Sequence, residues 1–304
     1  MELRDIEYFA VVAEHGHLGR AAESLGLSQS ALSKSLRRLE GSVEAKLIKR
    51  TSKGVELTDE GLTLLSRVRP LRLALSDVAR EVSDLGKGRV GHLRIGVSPG
   101  IDFDPLPPAC AALLKETPRV TLKVSVEAID ALLSALRHGE LDLTVGSVPA
   151  TPAEGIVQEH LFDDEFFVYA APDHRLAKRK RVTIADLAQE RWAMPMHAIM
   201  PSAVQWLRRV LEQHGLPAPR FTLETGSLFL RLRLIATSGL LTLTSRRLVR
   251  RLAPQFPMVV IPVEELTWTR HVGVSYRKDA YLSPVARRFT EILKSTALEI
   301  GKGP

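Results

Sequence analysis

The chain has 304 residues, 45% of them hydrophobic and 25% charged, which suits roughly two ordinary domains and excludes wholesale disorder. Its 42 Lys and Arg against 35 Asp and Glu leave a net charge of +7, a hint of a polyanionic partner once that charge is located. No apolar run approaches the roughly 18 residues that cross a bilayer, acids stand at Glu2, Asp5 and Glu7 where a secretory leader carries bases, and the single Cys110 excludes both an internal disulfide and a two-cysteine switch within one chain. A cytoplasmic address without membrane contact is the expectation.

The first elements read as helices. Leu3, Ile6, Phe9, Ala10 and Ala13 recur at helical spacing and Gly16 stands where a C-cap belongs. A short second helix, about Gly19 to Leu25, carries the small residues Ala21 and Ala22, and Gly26 supplies a sharp turn. Ser28 is placed to cap a third helix whose Leu32, Leu36, Leu39 and Val43 form one apolar face. Two helices joined by a glycine turn make a helix-turn-helix, whose second helix enters the major groove with its first residues toward base edges. Gln29, Ser30, Ser33, Lys34 and Arg37 lie on or near the face opposite the leucines, where Gln pairs with adenine and Lys or Arg with guanine. Arg20 and Ser28 complete the expected DNA contacts on the helices.

Between Lys34 and Lys53 seven bases face two acids. The Ser52-Lys53-Gly54 turn between two short extended runs predicts a small hairpin, or wing, whose Arg50 and Lys53 meet phosphates and add salt-sensitive affinity without reading sequence. The next helix runs from Thr58 or Asp59 to about Leu85. Its Leu64, Val68, Leu71, Leu75, Val78, Val82 and Leu85 are spaced alternately four and three apart, the seam of two helices wound about each other. Pro70 within it removes one hydrogen bond and predicts a kink.

Beyond Gly88 strands and helices alternate. Strands are expected at 90–97, 120–126 and 141–146 and, in a second unit, at 166–170, 222–224 and before Leu243, with a last strand at 272–276. Helices are expected after Asp104-Pro105, before His138, at Ser202 to His214 and after Ser283-Pro284. The pattern predicts an α/β region with parallel sheets and helices on both faces, in two lobes joined by two crossings. Ligands of such sheets gather at the carboxyl ends of strands. That logic gathers Ser98, Pro99 and Gly100 after the first strand, Gly146, Ser147 and Val148 after the third, Pro195, His197 and Ser202 before a helix, and Thr225 after a strand. Hydroxyls and free backbone N–H groups there suit a small organic anion such as a carboxylate or an aromatic acid.

Phe9, Ala21-Ala22, Leu25, Ser28-Gln29-Ser30-Ala31-Leu32-Ser33, Leu39-Glu40, Arg50 and Leu57-Thr58 with Gly61 resemble the N-terminal domain of LysR-type transcriptional regulators. Looser matches at Gly139-Glu140-Leu141-Asp142-Leu143, Pro172-Asp173-His174-Arg175-Leu176 and Ser283-Pro284 with Arg287-Arg288-Phe289 extend the likeness to that family's effector domain, similar in fold to periplasmic solute-binding proteins. Val43-Glu44 stands where the family usually has Leu-Gly, and Leu47-Ile48 where it has Leu-Phe. The resemblance implies a winged helix-turn-helix at 1–58, a dimerisation helix at 59–88 and an effector domain at 89–304, its first lobe about 89–163 and 267–304 and its second about 164–266. It implies binding to double-stranded, dyad-symmetric promoter DNA, a small-molecule effector, a homodimer through the linker helix that favours a tetramer of dimers, and RNA polymerase as a further partner. It also points to Ser98 as an effector contact.

Two other classes compete. Gly96-Val97-Ser98-Pro99-Gly100 fits the Gly-x-Ser-x-Gly nucleophile elbow, so a serine hydrolase is the alternative, although five-residue patterns arise easily by chance. A solute-binding module fits the C-terminal pattern but leaves the N-terminal one without a purpose. No catalytic residue, cofactor or metal is expected: His15 and His17 lie two apart and point to different helix faces, and no His/Cys cluster has ligand spacing along the chain. Cys110, in an Ala-rich helix, reads as buried filler, and the basic runs 178–181 and 246–251 read as solvated surface.

Overall fold

The computed structural model describes residues 1–301 except 53, 88–90, 150, 152, 199 and 264–265, and the side chains of 85–87 and 299–301 are not described. The chain divides into two compact units, Met1–Ser83 and Asp84–Pro304.

In the first unit α1 (Leu3–His15) ends at Gly16, whose φ of 61° and N–H donating to Val12 O close the last turn. α2 (Leu18–Ser24) and α3 (Gln29–Val43) follow, with Gly26 left-handed between them. Phe9, Ala10, Ala21, Leu32 and Leu39 are fully buried in one core, each large apolar side chain contributing about 1.5–3 kcal/mol. Small side chains at Ala21 and Ala22 let α2 lie close against its neighbours. α3 ends at Glu44, the sole described non-glycine residue with positive φ, at 52°. The family's usual glycine is thus missing from a position that still takes the glycine conformation, a cost of about 1 kcal/mol or more.

β1 (Ile48–Thr51) and β2 (Gly54–Leu57) pair antiparallel as the expected wing. α4 (Asp59–Lys87) starts with Thr58 Oγ1 accepting from Gly61 N–H at 3.0 Å. It runs as one helix through Pro70, so the proline removes a hydrogen bond without ending the element. Of the expected seam, Leu64 is half-buried and Val68 buried in the first unit's core beside Leu65, whereas Leu71, Leu75, Val78 and Val82 are exposed. The seam therefore changes role along its length, and Leu85 lies outside the described side chains.

The second unit begins with β3 (His92–Val97), α5 (Leu106–Glu116), β4 (Thr121–Val126), α6 (Ile129–Arg137), β5 (Leu143–Ser147) and the long β6 (Ile156–Ala170). It continues with α7 (Ile184–Ala188), β7 (Arg191–Pro195), α8 (Pro201–Gln213), β8 (Arg220–Thr225), α9 (Leu228–Ile235), β9 (Thr242–Ser245), α10 (Arg246–Leu252), β10 (Val259–Val260), β11 (Trp268–Arg277) and α11 (Pro284–Gly301). One sheet runs β10-β6-β11-β5-β3-β4, with β9 also on β6, and β7 pairs with β8.

Parallel pairing holds for β4-β3-β5 and for β7-β8, but β11 lies antiparallel to both β5 and β6. The expectation of purely parallel sheets is corrected, because β6 leaves the first lobe and β11 returns to it in opposite directions. Leu93, Ile95, Val97 and Phe289 centre one core, and Trp192, Leu207 and Leu243 centre another. β6 supplies Phe162 to the first and Phe166 and Val168 to the second, so a single strand carries the chain between two lobes. Asp104 does not cap α5 as its sequence position suggests. The N-cap is Pro105, and Asp104 faces Arg247 at 3.6 Å instead. Arg247 also stacks on Phe162, 4.0 Å from the ring centroid, which takes it out of the solvated basic run expected at 246–251.

Candidate functional site

The basic face of the first unit is built on α3. Ser28 caps it, its Oγ accepting from Ala31 N–H at 3.2 Å and lying 3.0 Å from Ser30 Oγ. Gln29, Ser30, Lys34 and Arg37 are exposed on the helix and Ser33 is half-buried. Arg50 of the wing donates to Ser33 Oγ at 3.2 Å, so wing and helix form one continuous surface. Arg20 is exposed on α2, and Lys53 lies outside the described residues.

Behind this surface, Asp5 on α1 is fully buried and accepts from Ser35 Oγ and from Arg38 Nε, the latter at 2.7 Å. The Arg38 guanidinium holds the Asp5 carboxyl below the usual carboxylate range. That network locks the register of α3 on α1, which fixes which side chains of α3 face outward. The wing is pinned in turn by Val55 N–H donating to Gly16 O at 2.8 Å. A side chain at Gly54 would meet that same carbonyl oxygen at 2.3 Å.

In the second unit a cavity opens where the lobes meet. Pro99 and Gly100 line it from the first lobe, and Phe166, Pro195, Met200, Thr225, Gly226, Arg231, Ser245 and Arg270 line it elsewhere. Of the ten residues expected around an effector, the structure brings Pro99, Gly100, Pro195 and Thr225 together here. Ser98 is buried, tucked against Gly146 so closely that a Cβ there would lie 2.1 Å from its Oγ. Ser147 and Val148 continue the sheet beside β11, Val148 N–H donating to His271 O. His197, before α8, and Ser202, in its first turn, are exposed. Ser98, Gly146, Ser147, Val148, His197 and Ser202 are therefore absent from the cavity lining.

The strongest chemistry in the cavity comes from two arginines that strand-end logic missed. Arg270 is 4% exposed, paired with Asp164 at 2.7 Å and stacked on Phe166 at 5.0 Å. Asp164 also accepts from Ser245 Oγ, so this pair is neutral overall. Arg231 on α9 is 6% exposed, and its Nε and Nη1 have no hydrogen-bond partner among the described residues. Burial pushes its pKa down to about 10, leaving it charged at neutral pH. A buried cation without a counter-ion is costly, and here it lines a cavity. Each arginine had a signal: Arg231 lies on the buried side of α9 beside Leu232 and Ile235, and Arg270 occupies a buried position in the alternation of β11.

Among the described residues Ser98 Oγ has no hydrogen-bond partner, so none of them acts as a base that activates it as a nucleophile. The half-buried Cys110 has its thiol pKa pushed up by burial, which disfavours the reactive thiolate. Among the described residues no helix is long and apolar enough to cross a membrane.

A capped helix carrying outward-facing polar residues, a basic wing and a separate two-lobed unit with a cleft are the architecture of a DNA-binding regulator with a sensor domain. Residues 3–62 match the model of the bacterial regulatory helix-turn-helix proteins of the lysR family, and residues 86–298 match the LysR substrate binding domain. The chain belongs to the LysR family of transcriptional regulators, and the hydrolase alternative is set aside. It is 28% identical to the HTH-type transcriptional regulator GbpR of Azospirillum brasilense over 302 residues, 98% of this chain and 87% of that protein. To the DNA-binding transcriptional dual regulator OxyR of Escherichia coli K12 it is 28% identical over 297 residues, 97% of this chain and 94% of that one. Among solved structures, CbnR in complex with its target DNA shares the fold at a TM-score of 0.63 and 20% identity, covering 97% of this chain and all (100%) of that one. A full-length OxyR variant from Pseudomonas aeruginosa does so at 0.66 and 21%, covering 98% and 94%.

Proposed function

We propose that this LysR-family regulator works in the cytoplasm, reads a dyad-symmetric site on double-stranded DNA, and answers to a small organic acid, a carboxylate or aromatic acid, held in the cleft of its effector domain. In this reading residues 1–58 bind DNA, 59–88 assemble the chain into dimers and then a tetramer, and 89–304 sense the effector, with RNA polymerase as the partner that receives the output. Arg20, Ser28, Gln29, Ser30, Ser33, Lys34 and Arg37 face the groove, and Arg50 and Lys53 meet the backbone.

The observation that carries the effector class is Arg231, a buried guanidinium without a counter-ion in a cavity whose other arginine is already neutralised by Asp164. A carboxylate supplies the missing charge and accepts a forked pair of hydrogen bonds. Free space in the cavity is about 30 Å³, room for two or three waters at about 10–15 Å³ each. An acid therefore enters only as the lobes move, and binding is coupled to lobe arrangement as a population shift requires.

The test is a thermal-shift panel of small organic acids on the full chain, with Arg231→Met beside the wild type. An acid that raises the wild-type melting temperature by an amount that grows with the logarithm of its concentration above Kd, with no effect on Arg231→Met, supports the reading. Equal responses from both proteins, or none from either, overturn the acid assignment. For the DNA face, Gln29→Ala should relax sequence preference at one position by about 1–3 kcal/mol while leaving random-sequence binding unchanged. Gel shifts in which it weakens specific and random DNA equally would remove Gln29 from base reading.

A further inference from the structure

On the exposed face of β6 and β11, away from the residues that line the cavity, two histidines share one carboxylate oxygen. His160 Nε2 and His271 Nδ1 each lie 2.7 Å from Asp163 Oδ1, the three groups are all exposed, and one donor atom from each falls within 4.8 Å of the others. Register places them there. Asp163 stands directly opposite His271 and His160 opposite Gly273. Residues three apart on a regular strand point to opposite faces, yet His160 and Asp163 share one. A bulge makes the difference: the pairing passes from Val272–Phe162 to Gly273–His160 and skips Leu161, which resets the alternation of β6 at this point.

We propose that His160, Asp163 and His271 bind one divalent transition-metal ion of the zinc kind, with solvent in the remaining coordination positions. Two imidazole nitrogens and one carboxylate oxygen suit Zn²⁺ and its neighbours, whereas Ca²⁺ and Mg²⁺ call for oxygen alone. Zinc bonds of about 2.0–2.1 Å set ligand atoms of a tetrahedron roughly 3.3 Å apart. The site reaches that spacing if Asp163 draws back by about half an ångström and the rings turn inward, rotations that exposed side chains make freely. Three protein ligands leave an open position, the pattern of a site that exchanges a water or takes a further donor. The ion would tie β6 to β11 where both strands pass between the lobes. No spacing along the chain announces this site, because His271 comes from a strand more than a hundred positions from Asp163.

The experiment titrates ZnCl₂ into the full chain, freed of any affinity tag and stripped with chelator, by calorimetry. The expected result is one ion per chain with micromolar or tighter affinity, and a melting temperature that rises with zinc. His160→Ala and His271→Ala should each weaken binding tenfold or more and abolish the thermal shift, while a His15→Ala/His17→Ala control matches the wild type. His160→Gln/His271→Gln repeats the test with side chains of similar polarity, and circular dichroism establishes that each variant is folded. A wild type that takes up no zinc at a hundred micromolar, or a folded His160→Gln/His271→Gln variant that binds it as well as the wild type, overturns the proposal.

Discussion

Asp5 shows how much one polar side chain settles in the DNA-binding unit. It is buried between α1 and α3, and among the described residues Ser35 and Arg38 supply its side-chain hydrogen bonds. Asp5→Asn removes the charge that Arg38 answers and should destabilise the protein by about 2 kcal/mol in urea unfolding at neutral pH. The folded pKa lies below the unfolded one, so this stabilisation is fully present above the unfolded value near 4 and fades as pH falls through the folded value. The gap between wild type and Asp5→Asn should therefore narrow in acid, and a constant gap would remove the charge from the explanation. Arg231 predicts the opposite sign. Its Nε and Nη1 are buried without a partner among the described residues, so Arg231→Met should stabilise the unliganded protein by about 1–2 kcal/mol while ending its response to acids. Thermal unfolding without ligand reads that gain, and a loss of stability would show that Arg231 is already satisfied.

Among the elements, α3 was the most legible, since Ser28, the leucine repeat and the exposed polar positions announce its start, its core face and its outer face. The wing was legible as a basic turn between extended runs, but its anchoring was not. Nothing in the local pattern says that Gly54 lies against the carbonyl of Gly16, a contact between segments far apart in the chain. Gly54→Ala should force that contact open, because its φ of 135° is closed to side chains and Gly16 O blocks the space. The expected outcome is a loss of about 1–3 kcal/mol of stability together with weakened binding to every DNA sequence. Arg50→Ala leaves the wing folded and should reduce the slope of log affinity against log salt by about one. An unchanged slope would take Arg50 off the phosphate backbone. The cleft was half legible for a related reason. Strand ends are readable from local pattern and gave Pro99, Gly100, Pro195 and Thr225, whereas Arg231 and Arg270 reach the cavity through a helix flank and a crossing strand whose placement only the tertiary fold decides.

At the scale of the whole molecule, α4 carries two kinds of apolar position. Leu65 and Val68 belong to the first unit's core, and Leu71, Leu75, Val78 and Val82 remain exposed, Val82 at 63%. A single chain leaves that stripe wet, which fits the heptad spacing and the proposed dimer. Leu75→Glu/Val78→Glu should shift sedimentation toward monomers while changing the stability of each unit by no more than about 0.5 kcal/mol. Assembly unaffected by both charges would place the interface elsewhere.

The sheet of the second unit closes only when β11 slots between β5 and β6, and α11 covers the first core after it. During synthesis the DNA-reading module emerges ahead of these elements, while the sensor stays incomplete until β11 and α11 have left the ribosome. A product cut short before β11 would thus carry the DNA-binding module beside an unfinished sensor, so synthesis through α11 is itself a condition of a complete regulator.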